Sequence, residues 1–462
     1  MQKRVQTQLL VSAFVYLLVV FVRFWYIDKF SVAIPYWDQW DAEGAKIVAP
    51  FLDNTIDWSN FLWEAHNEHR TIPTKLITLL SLLLTGEWNN IYEARINTLI
   101  YAFIPAFLSH IYLDSSLQRI FKFSGIILVV LFAILPLGWE NFLAGFQSQF
   151  YVMVLSSLGA IYMASFAGNR ANAQVAMVGL SALSAMCMAS GMLTAVAVGV
   201  VLTLQMLLGS LTSKRWSAIG LALLCVFIFA LYTMPSIPEH TALRAKSIPE
   251  FTDALGHLLG WPIRTYHWAP IVIYFPLTIY FSRLIIQRSK PTRSDIFFYG
   301  IAIWSVLQAI ALAYGRGEGM ITVTSRYADV LVPGVAAAVW FTGRFFAIKN
   351  VSRSFGGVGI AGAIFLLGAI VFGFGERTTD DWHEMTARSS QLQASQNTIS
   401  CYLESGGDAR VLQEPNPIPY PDSARLQMIL ENESIRNSLD YMHGPKQGKT
   451  MGCKNEMHKE QF

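Results

Sequence analysis

Charged side chains are scarce in this chain: only 14% of its 462 residues are Asp, Glu, Lys or Arg. Soluble globular proteins usually contain about 25% charged residues, so the composition excludes an ordinary water-soluble fold. Hydrophobic residues make up 53% of the sequence, and the mean hydropathy is +0.40. The formal net charge is only +3, and the basic residues lie in short loops between apolar runs, which argues against nucleic-acid binding. The sequence therefore predicts an all-α polytopic membrane protein.

Cysteine is also scarce, with four in the chain. Cys187 and Cys225 lie within apolar runs, where we expect them to be packing residues. Cys401 and Cys453 lie in the polar C-terminal segment. If that segment is outside the cytoplasm, a disulfide between these two residues is predicted.

Long apolar runs are abundant. A bilayer core about 30 Å thick needs roughly 17–25 apolar residues per helix. Eleven runs qualify as candidate spans, namely 9–27, 91–113, 123–138, 147–167, 173–190, 191–211, 217–234, 268–287, 295–314, 328–347 and 356–375. The first lacks a small-residue cleavage site and predicts an uncleaved anchor helix. The run 72–86 is short and contains Pro73 and Lys75, so we expect a re-entrant or interfacial helix there.

The basic residues indicate how these spans are oriented. If Lys3 and Arg4 are cytoplasmic, eleven spans place every basic short loop on the cytoplasmic side, as the positive-inside rule requires. We therefore divide the chain into a membrane domain, 1–375, and an outward polar tail, 376–462. The outward segments are 28–90, 139–146, 235–267, 315–327 and the tail. The span interiors hold almost no ionisable residues, which argues against a transport pathway through them.

Ionisable residues concentrate in the first outward loop, 28–90, and above all in its stretch 34–71. In the segment PYWDQWDAEG, Asp38 and Asp41 are three residues apart and would share one face of a helix. Trp37 and Trp40 beside them are expected at the lipid–water boundary. Partial desolvation by these rings would raise a carboxylate pKa, which suits a general base. The alternative is that the two acids only cap a juxtamembrane helix.

A second motif in the same loop is AHNEHR, residues 65–70. Its ionisable members are suited to acid–base work, to a divalent cation or, through a guanidinium fork, to a phosphate. No third and fourth ligand is present at zinc spacing, so a metal site is not predicted. The alternative is a solvated loop end with its arginine at the lipid headgroups. The candidates are His66, Glu68, His69 and Arg70.

Two later outward segments supply further candidates. In YGRGEGMITVTSRYAD, residues 314–329, outward arginines depart from the positive-inside trend, and a membrane phosphate is their natural partner; snorkelling to lipid headgroups is the alternative. GWENFLAGFQSQF, residues 138–150, combines aromatic rings and amides, which suits sugar binding or, alternatively, contacts between helices. The candidates are Arg316, Arg326 and Tyr327 in the first segment and Glu140, Gln147 and Gln149 in the second.

This layout of one anchor helix, an acidic outward loop, many spans and an outward tail resembles the GT-C class of integral-membrane glycosyltransferases. The motifs PYWDQWD, HNEHR, ENFLAGFQSQF, SGMLT, YGRGEG and SRYAD look like those of bacterial GT-C-type proteins that modify surface polysaccharides, including O-antigen glucosyltransferases. The resemblance implies that Asp38 matches the catalytic acid of the first loop and that Arg326 and Arg70 face a lipid phosphate. Many members have an adjacent acidic pair, whereas here Gln39 and Trp40 intervene, so the choice between Asp38 and Asp41 stays open.

The resemblance also implies a reaction. A hexose would pass with inversion from a polyprenyl-phosphate donor to a hydroxyl of a surface polysaccharide or glycolipid, at the outer face of the bacterial inner membrane. Because arginines would stabilise the leaving phosphate, no metal or other cofactor is expected. A lipid-sugar synthase and a flippase would be partners. The alternatives are a lipid-linked-sugar flippase or transporter and an O-antigen polymerase or ligase.

Overall fold

The computed structural model describes residues 2–263, 268–287, 290–347 and 353–439. These residues are largely helical and contain no β-strand; their only strand-like pairing is a bridge between His66 and His69. The longer helices are Gln2–Phe30, Ile72–Thr85, Asn90–Tyr101, Phe103–Asp114, Arg119–Ile134, Ser148–Ala167, Ala171–Ala185, Leu193–Leu207, Ser213–Tyr232, Ile248–Gly260, Ala269–Gln287, Arg293–Arg316, Ala328–Ala347 and Arg353–Glu404. The shorter ones are the π-helix Trp40–Val48 and the α-helices Ala49–Leu52, Trp58–Phe61, Trp139–Phe142, Ser423–Leu430 and Glu433–Ser438.

Eight helical segments of the described chain are long and apolar enough to cross a membrane, which confirms an all-α, multi-pass architecture. A ninth span results if the bent pair Arg119–Ile134 and Pro136–Phe142 is one crossing. The eight are Val5–Phe30, Asn90–Asp114, Gly145–Ala167, Ala189–Leu207, Ser213–Tyr232, Arg293–Arg316, Ser325–Phe346 and Ile360–Glu404.

The predicted count of eleven spans exceeds this number, although every predicted span coincides with a helix. Ala171–Ala185 has only 15 residues, and the apolar part of another predicted span, Ala269–Ser282, is also short. The helix Ile72–Thr85, predicted to be re-entrant or interfacial, has 14 residues. At 1.5 Å per residue it is about 21 Å long, which is less than the thickness of a bilayer core.

Buried hydroxyl groups join the helices of the membrane domain. The Thr194 hydroxyl lies 2.6 Å from that of Ser157 and 2.8 Å from that of Ser184. It also accepts a hydrogen bond of 3.1 Å from the Trp304 indole. Four helices therefore meet at one threonine, an arrangement that membrane proteins use because apolar surface alone does not hold helices together in lipid.

Two ionisable side chains near the ends of predicted spans are buried in the helix bundle. Arg23 is 0% exposed and Asp329 is 3% exposed. Arg23 donates to the Ala133 carbonyl and the Tyr151 hydroxyl, and its guanidinium stacks 3.3 Å from the Tyr101 ring centroid. The sequence argument missed this pair because Arg23 follows an apolar run directly and Asp329 ends a polar loop.

The C-terminal tail is continuous with the membrane domain. The helix Arg353–Glu404 runs for 52 residues, so no helix end marks the predicted domain boundary at residue 375. Beyond it, Ser423–Leu430 and Glu433–Ser438 pack against the loop 28–90, where Leu426, Leu430 and Ile435 share a core with residues of that loop. Cys401 is disulfide-bonded, and Cys453, its predicted partner, lies outside the described residues.

Candidate functional site

A tight turn presents Asp38 near the start of the loop 28–90. Trp37 has a positive φ of 48°, a conformation that is uncommon outside glycine. The Gln39 side chain accepts a 3.0 Å hydrogen bond from the Tyr36 amide, and the buried Trp40 indole donates to the Pro35 carbonyl at 3.0 Å. These contacts fix the backbone while the Asp38 side chain stays 50% exposed. The turn therefore holds the Asp38 carboxylate in a fixed position, with half of the side chain exposed to solvent.

His66 of the AHNEHR motif faces this carboxylate. Its Nε2 atom lies 3.6 Å from Asp38 Oδ2, an ion-pair distance that is too long for a hydrogen bond. Burial alone would raise the pKa of Asp38, but the neighbouring His66 and the charges of Arg326 and His69 lower it on balance. The expectation of a raised pKa is therefore wrong. Trp37 is exposed, and nearby cations outweigh the desolvation of Asp38.

The Asp41 carboxylate is bound by two side chains of the tail. Arg425 contacts Asp41 Oδ1 through Nε at 2.9 Å and through Nη2 at 2.8 Å, and the Tyr420 hydroxyl donates to Oδ2. Asp41 lies in the π-helix Trp40–Val48, and Asp38 precedes it. The two acids have different partners, His66 for Asp38 and the tail for Asp41. Only Asp38 remains open to a substrate.

Arg326 is held by backbone contacts that leave its guanidinium available. Glu140 Oε2 accepts hydrogen bonds from the Arg326 amide at 3.0 Å and from the Ser325 hydroxyl at 2.9 Å. Asn141 Nδ2 donates to the Arg326 carbonyl at 2.8 Å and to Asp329 Oδ2 at 2.7 Å. The Arg326 side chain is exposed and lies 5.6 Å from the Tyr327 ring centroid. Glu140, predicted to bind sugar, thus positions Arg326.

The tail contributes an arginine that sequence reasoning missed. Arg388, on the helix Arg353–Glu404, places its guanidinium carbon 4.6 Å from the Tyr36 ring centroid. Burial raises the pKa of Tyr36 to about 12, against the opposing charge of Arg388. Arg388 lies in the polar C-terminal part of this helix, whose sequence shows no binding motif. Its distance along the chain from Tyr36 concealed the contact between them.

The remainder of AHNEHR forms a polar cluster beside the site. Glu68 Oε1 lies 2.6 Å from His240 Nδ1, and Glu68 Oε2 lies 3.7 Å from Arg316. Burial would raise the pKa of Glu68, but the His240 contact and neighbouring cations lower it. His69 Nδ1 accepts a 3.2 Å hydrogen bond from the Ala189 amide. Burial lowers the pKa of His69 to about 4, so His69 is neutral near pH 7.

Several predicted site residues have other partners. Arg70 donates to the Trp63 and Thr233 carbonyls, each at 2.7 Å, so its guanidinium joins the loop to the end of Ser213–Tyr232. Arg316 is engaged with Glu68 and His240. Tyr327 is buried. Gln149 is buried and accepts from Thr74 at 2.7 Å, and its amide donates to Gln147 at 3.3 Å, which agrees with the alternative of contacts between helices.

A buried acid pair lies beneath the Asp38 turn, and the sequence analysis did not single it out. Glu43 Oε2 accepts hydrogen bonds from Gln39 at 2.9 Å and from the Trp88 indole at 3.2 Å. The Glu93 carboxyl group lies next to it and also acts on its pKa. Burial raises the pKa of Glu43, in keeping with a neutral acid.

Among the described residues, no group of three or more His, Cys, Asp or Glu side chains could hold a metal ion. The expectation that no metal or cofactor is needed stays a prediction. No family model matches the chain, and no curated protein matches its sequence. The function must therefore be argued from the site itself. Asp38, His66 and Arg326 are brought together with Tyr36 and Arg388, which the sequence analysis did not name.

Proposed function

We propose that the protein is a GT-C-type inverting glycosyltransferase that moves a hexose from a polyprenyl-phosphate donor to a hydroxyl of a surface polysaccharide or glycolipid. One observation carries the proposal. Asp38, a half-exposed carboxylate, lies on a rigid turn within the electrostatic reach of Arg326. That guanidinium has no ion-pair or hydrogen-bond partner within the described part of the chain. A base and a cation beside a membrane domain suit attack on a lipid-linked phosphoester.

In the proposed reaction, Asp38 accepts the proton of the acceptor hydroxyl as its oxygen attacks the anomeric carbon. The bond between that carbon and the phosphate oxygen breaks, and the bonding electrons leave with the lipid phosphate. Arg326 stabilises the charge that develops on this phosphate. Because the pKa of Asp38 is below its ordinary value, the base is ionised near neutral pH. Proton transfer of this kind typically accelerates a reaction about 10²- to 10⁴-fold.

The proposed membrane topology has eleven spans. It adds the bent pair, Ala171–Ala185 and Ala269–Ser282 to the eight segments that meet the length requirement. With the N-terminus in the cytoplasm, the Asp38 turn and the tail both face outward, in agreement with their contact through Arg425 and Asp41. In a bacterial inner membrane this side is the periplasm. A lipid-sugar synthase and a flippase would then have to supply the donor.

The test is transfer by purified protein in detergent from a panel of synthetic polyprenyl-phosphate sugars, measured as release of lipid phosphate with and without a chelator. We expect release by the wild type and loss of at least about 10²-fold in Asp38→Asn. Asp28→Asn is the matched control, because Asp28 pairs with Arg95 away from the turn. Wild-type activity in Asp38→Asn would refute the assigned base.

A transporter of lipid-linked sugar is the second candidate, and the buried pair Arg23 and Asp329 favours it. Intramembrane ionisable residues commonly mark transport pathways, and Asp329 lines a small cavity together with Tyr101 and Pro333. The two functions are separated by reconstituting the protein in vesicles that contain labelled donor lipid and measuring both transbilayer movement of the donor and release of lipid phosphate. Movement of intact donor across the bilayer, impaired in Asp329→Asn and unaffected in Asp38→Asn, would replace the enzyme proposal. Release of lipid phosphate would retain it.

A further inference from the structure

The Tyr36 hydroxyl is buried and has no hydrogen-bond partner within the described residues. Leaving a buried hydroxyl unpaired costs about 1–3 kcal/mol, so such a group needs a partner that the chain itself does not provide. The charges of Arg388, Glu140, Arg326 and Asp38 all act on this hydroxyl. It therefore lies at the centre of the candidate site.

Two guanidinium groups flank Tyr36. Arg388 lies over its ring at 4.6 Å, and the one hydrogen bond that its guanidinium makes within the described residues is donated by Nη1 to Gln391 at 3.2 Å. Arg326 has its backbone held by Glu140 and Asn141 while its side chain stays exposed. Both arginines thus keep donor groups for a ligand. A guanidinium fork matches the oxygen atoms of a phosphate.

We infer that the Tyr36 hydroxyl, Arg388 and Arg326 together bind a single phosphate group of the substrate. The inference rests on the proposed function, and it extends the site to a residue of the tail. Two carboxylates, Asp38 and Glu140, lie near the same point. They offset the two guanidinium charges, so the site suits a single phosphate group better than the larger charge of a diphosphate.

The protonation of Tyr36 agrees with this role. Because burial raises its pKa to about 12, the hydroxyl keeps its proton at neutral pH and can donate it to a phosphate oxygen. The Glu140 carboxylate does not block the site, since its Oε2 atom already accepts from Ser325 and from the Arg326 amide. Asp38 is paired with His66.

The test is binding of farnesyl phosphate by the full chain in phosphatidylcholine nanodiscs, measured calorimetrically. We expect binding to weaken roughly threefold to tenfold in Tyr36→Phe, which removes one hydrogen bond, and at least about tenfold in Arg388→Gln. Tyr36→Phe preserves the ring under Arg388, so folding is not at risk. Arg410→Gln is the matched tail control, because Arg410 is exposed and pairs only with Asp408; it should bind as the wild type does.

The outcomes separate the inference from the proposed function. If the wild type binds farnesol as tightly as farnesyl phosphate, the lipid-phosphate function itself fails. If the wild type prefers the phosphate but Tyr36→Phe and Arg388→Gln bind like the control, the inference is overturned and the function survives. Farnesyl diphosphate binding more tightly than the monophosphate would overturn the single-phosphate assignment. Equal competition by inorganic phosphate or by phosphatidylglycerol would overturn the prenyl-linked substrate.

Discussion

The Asp41 carboxylate is held by Arg425, with 2.8 Å between Asp41 Oδ1 and Arg425 Nη2, although 384 residues separate them in the sequence. This ion pair joins the π-helix Trp40–Val48 to the tail. The adjacent turn carries Tyr36 and Asp38, and its Trp37 amide donates to the Pro419 carbonyl at 2.9 Å. The tail is therefore a structural part of the candidate site.

A double-mutant cycle measures this connection. Arg425→Gln and Asp41→Asn should each lower the free energy of unfolding by about 1 kcal/mol, since the pair is partly exposed and such pairs are weak. The double variant should lose less than the sum, with a coupling energy of roughly 0.5–1 kcal/mol. Additive losses would mean that the pair does not fasten the tail. Limited proteolysis of the tail provides a second readout, with Arg410→Gln as control.

Glu140 should act through Arg326. Glu140→Ala removes the acceptor of the Arg326 amide and of the Ser325 hydroxyl, so the guanidinium loses its fixed position. We expect transfer to fall about 10- to 100-fold, the usual effect of misplacing a group that must be aligned. In the Arg326→Gln background the same change should have little further effect, because the group that it positions is already gone. A full additional loss there would instead support the predicted contact of Glu140 with sugar.

The sequence was sufficient to place the helices, since apolar length decides where a span forms. It also singled out Asp38 and His66, whose side chains lie 3.6 Å apart in the fold. It was not sufficient to choose between Asp38 and Asp41, because only the fold brings the distant Arg425 to Asp41. The guanidinium of Arg70, predicted to bind phosphate, instead donates to the Trp63 and Thr233 carbonyls. The sequence alone does not show that the fold brings the Thr233 carbonyl close to Arg70. Arg388 carries no local signal at all.

His69 should make stability depend on pH. Its pKa falls from about 6.5 to about 4 on folding, chiefly through burial, with Arg316, His66 and His240 acting in the same direction and Glu68 opposing. Between these values the unfolded chain binds a proton that the folded chain does not, so the free energy of unfolding decreases as the pH falls from 6.5 to 4. Protonation would also break the hydrogen bond that Nδ1 accepts from Ala189.

Thermal unfolding in detergent across this pH range checks the prediction. His69→Asn keeps an acceptor for the Ala189 amide and removes the titrating ring, so its unfolding temperature should vary less between pH 6.5 and pH 4 than that of the wild type. His257→Asn, on the helix Ile248–Gly260, is the control. An unchanged pH slope in His69→Asn would show that another group is responsible.

Glu43 should give the opposite pH dependence. Burial raises the pKa of Glu43 above 4.5. Just above pH 4.5 the folded chain therefore keeps a proton that the unfolded chain has lost, and the free energy of unfolding decreases as the pH rises from 4.5 toward the pKa of the folded state. Glu43→Gln retains an acceptor for Gln39 and Trp88 and removes the titrating carboxyl group, so the decline should flatten. Glu64→Gln is the control, since Glu64 pairs with Lys46 at a partly exposed position. If Glu43→Gln steepened the decline, Glu43 would have to be ionised in the fold, and the predicted direction would be wrong.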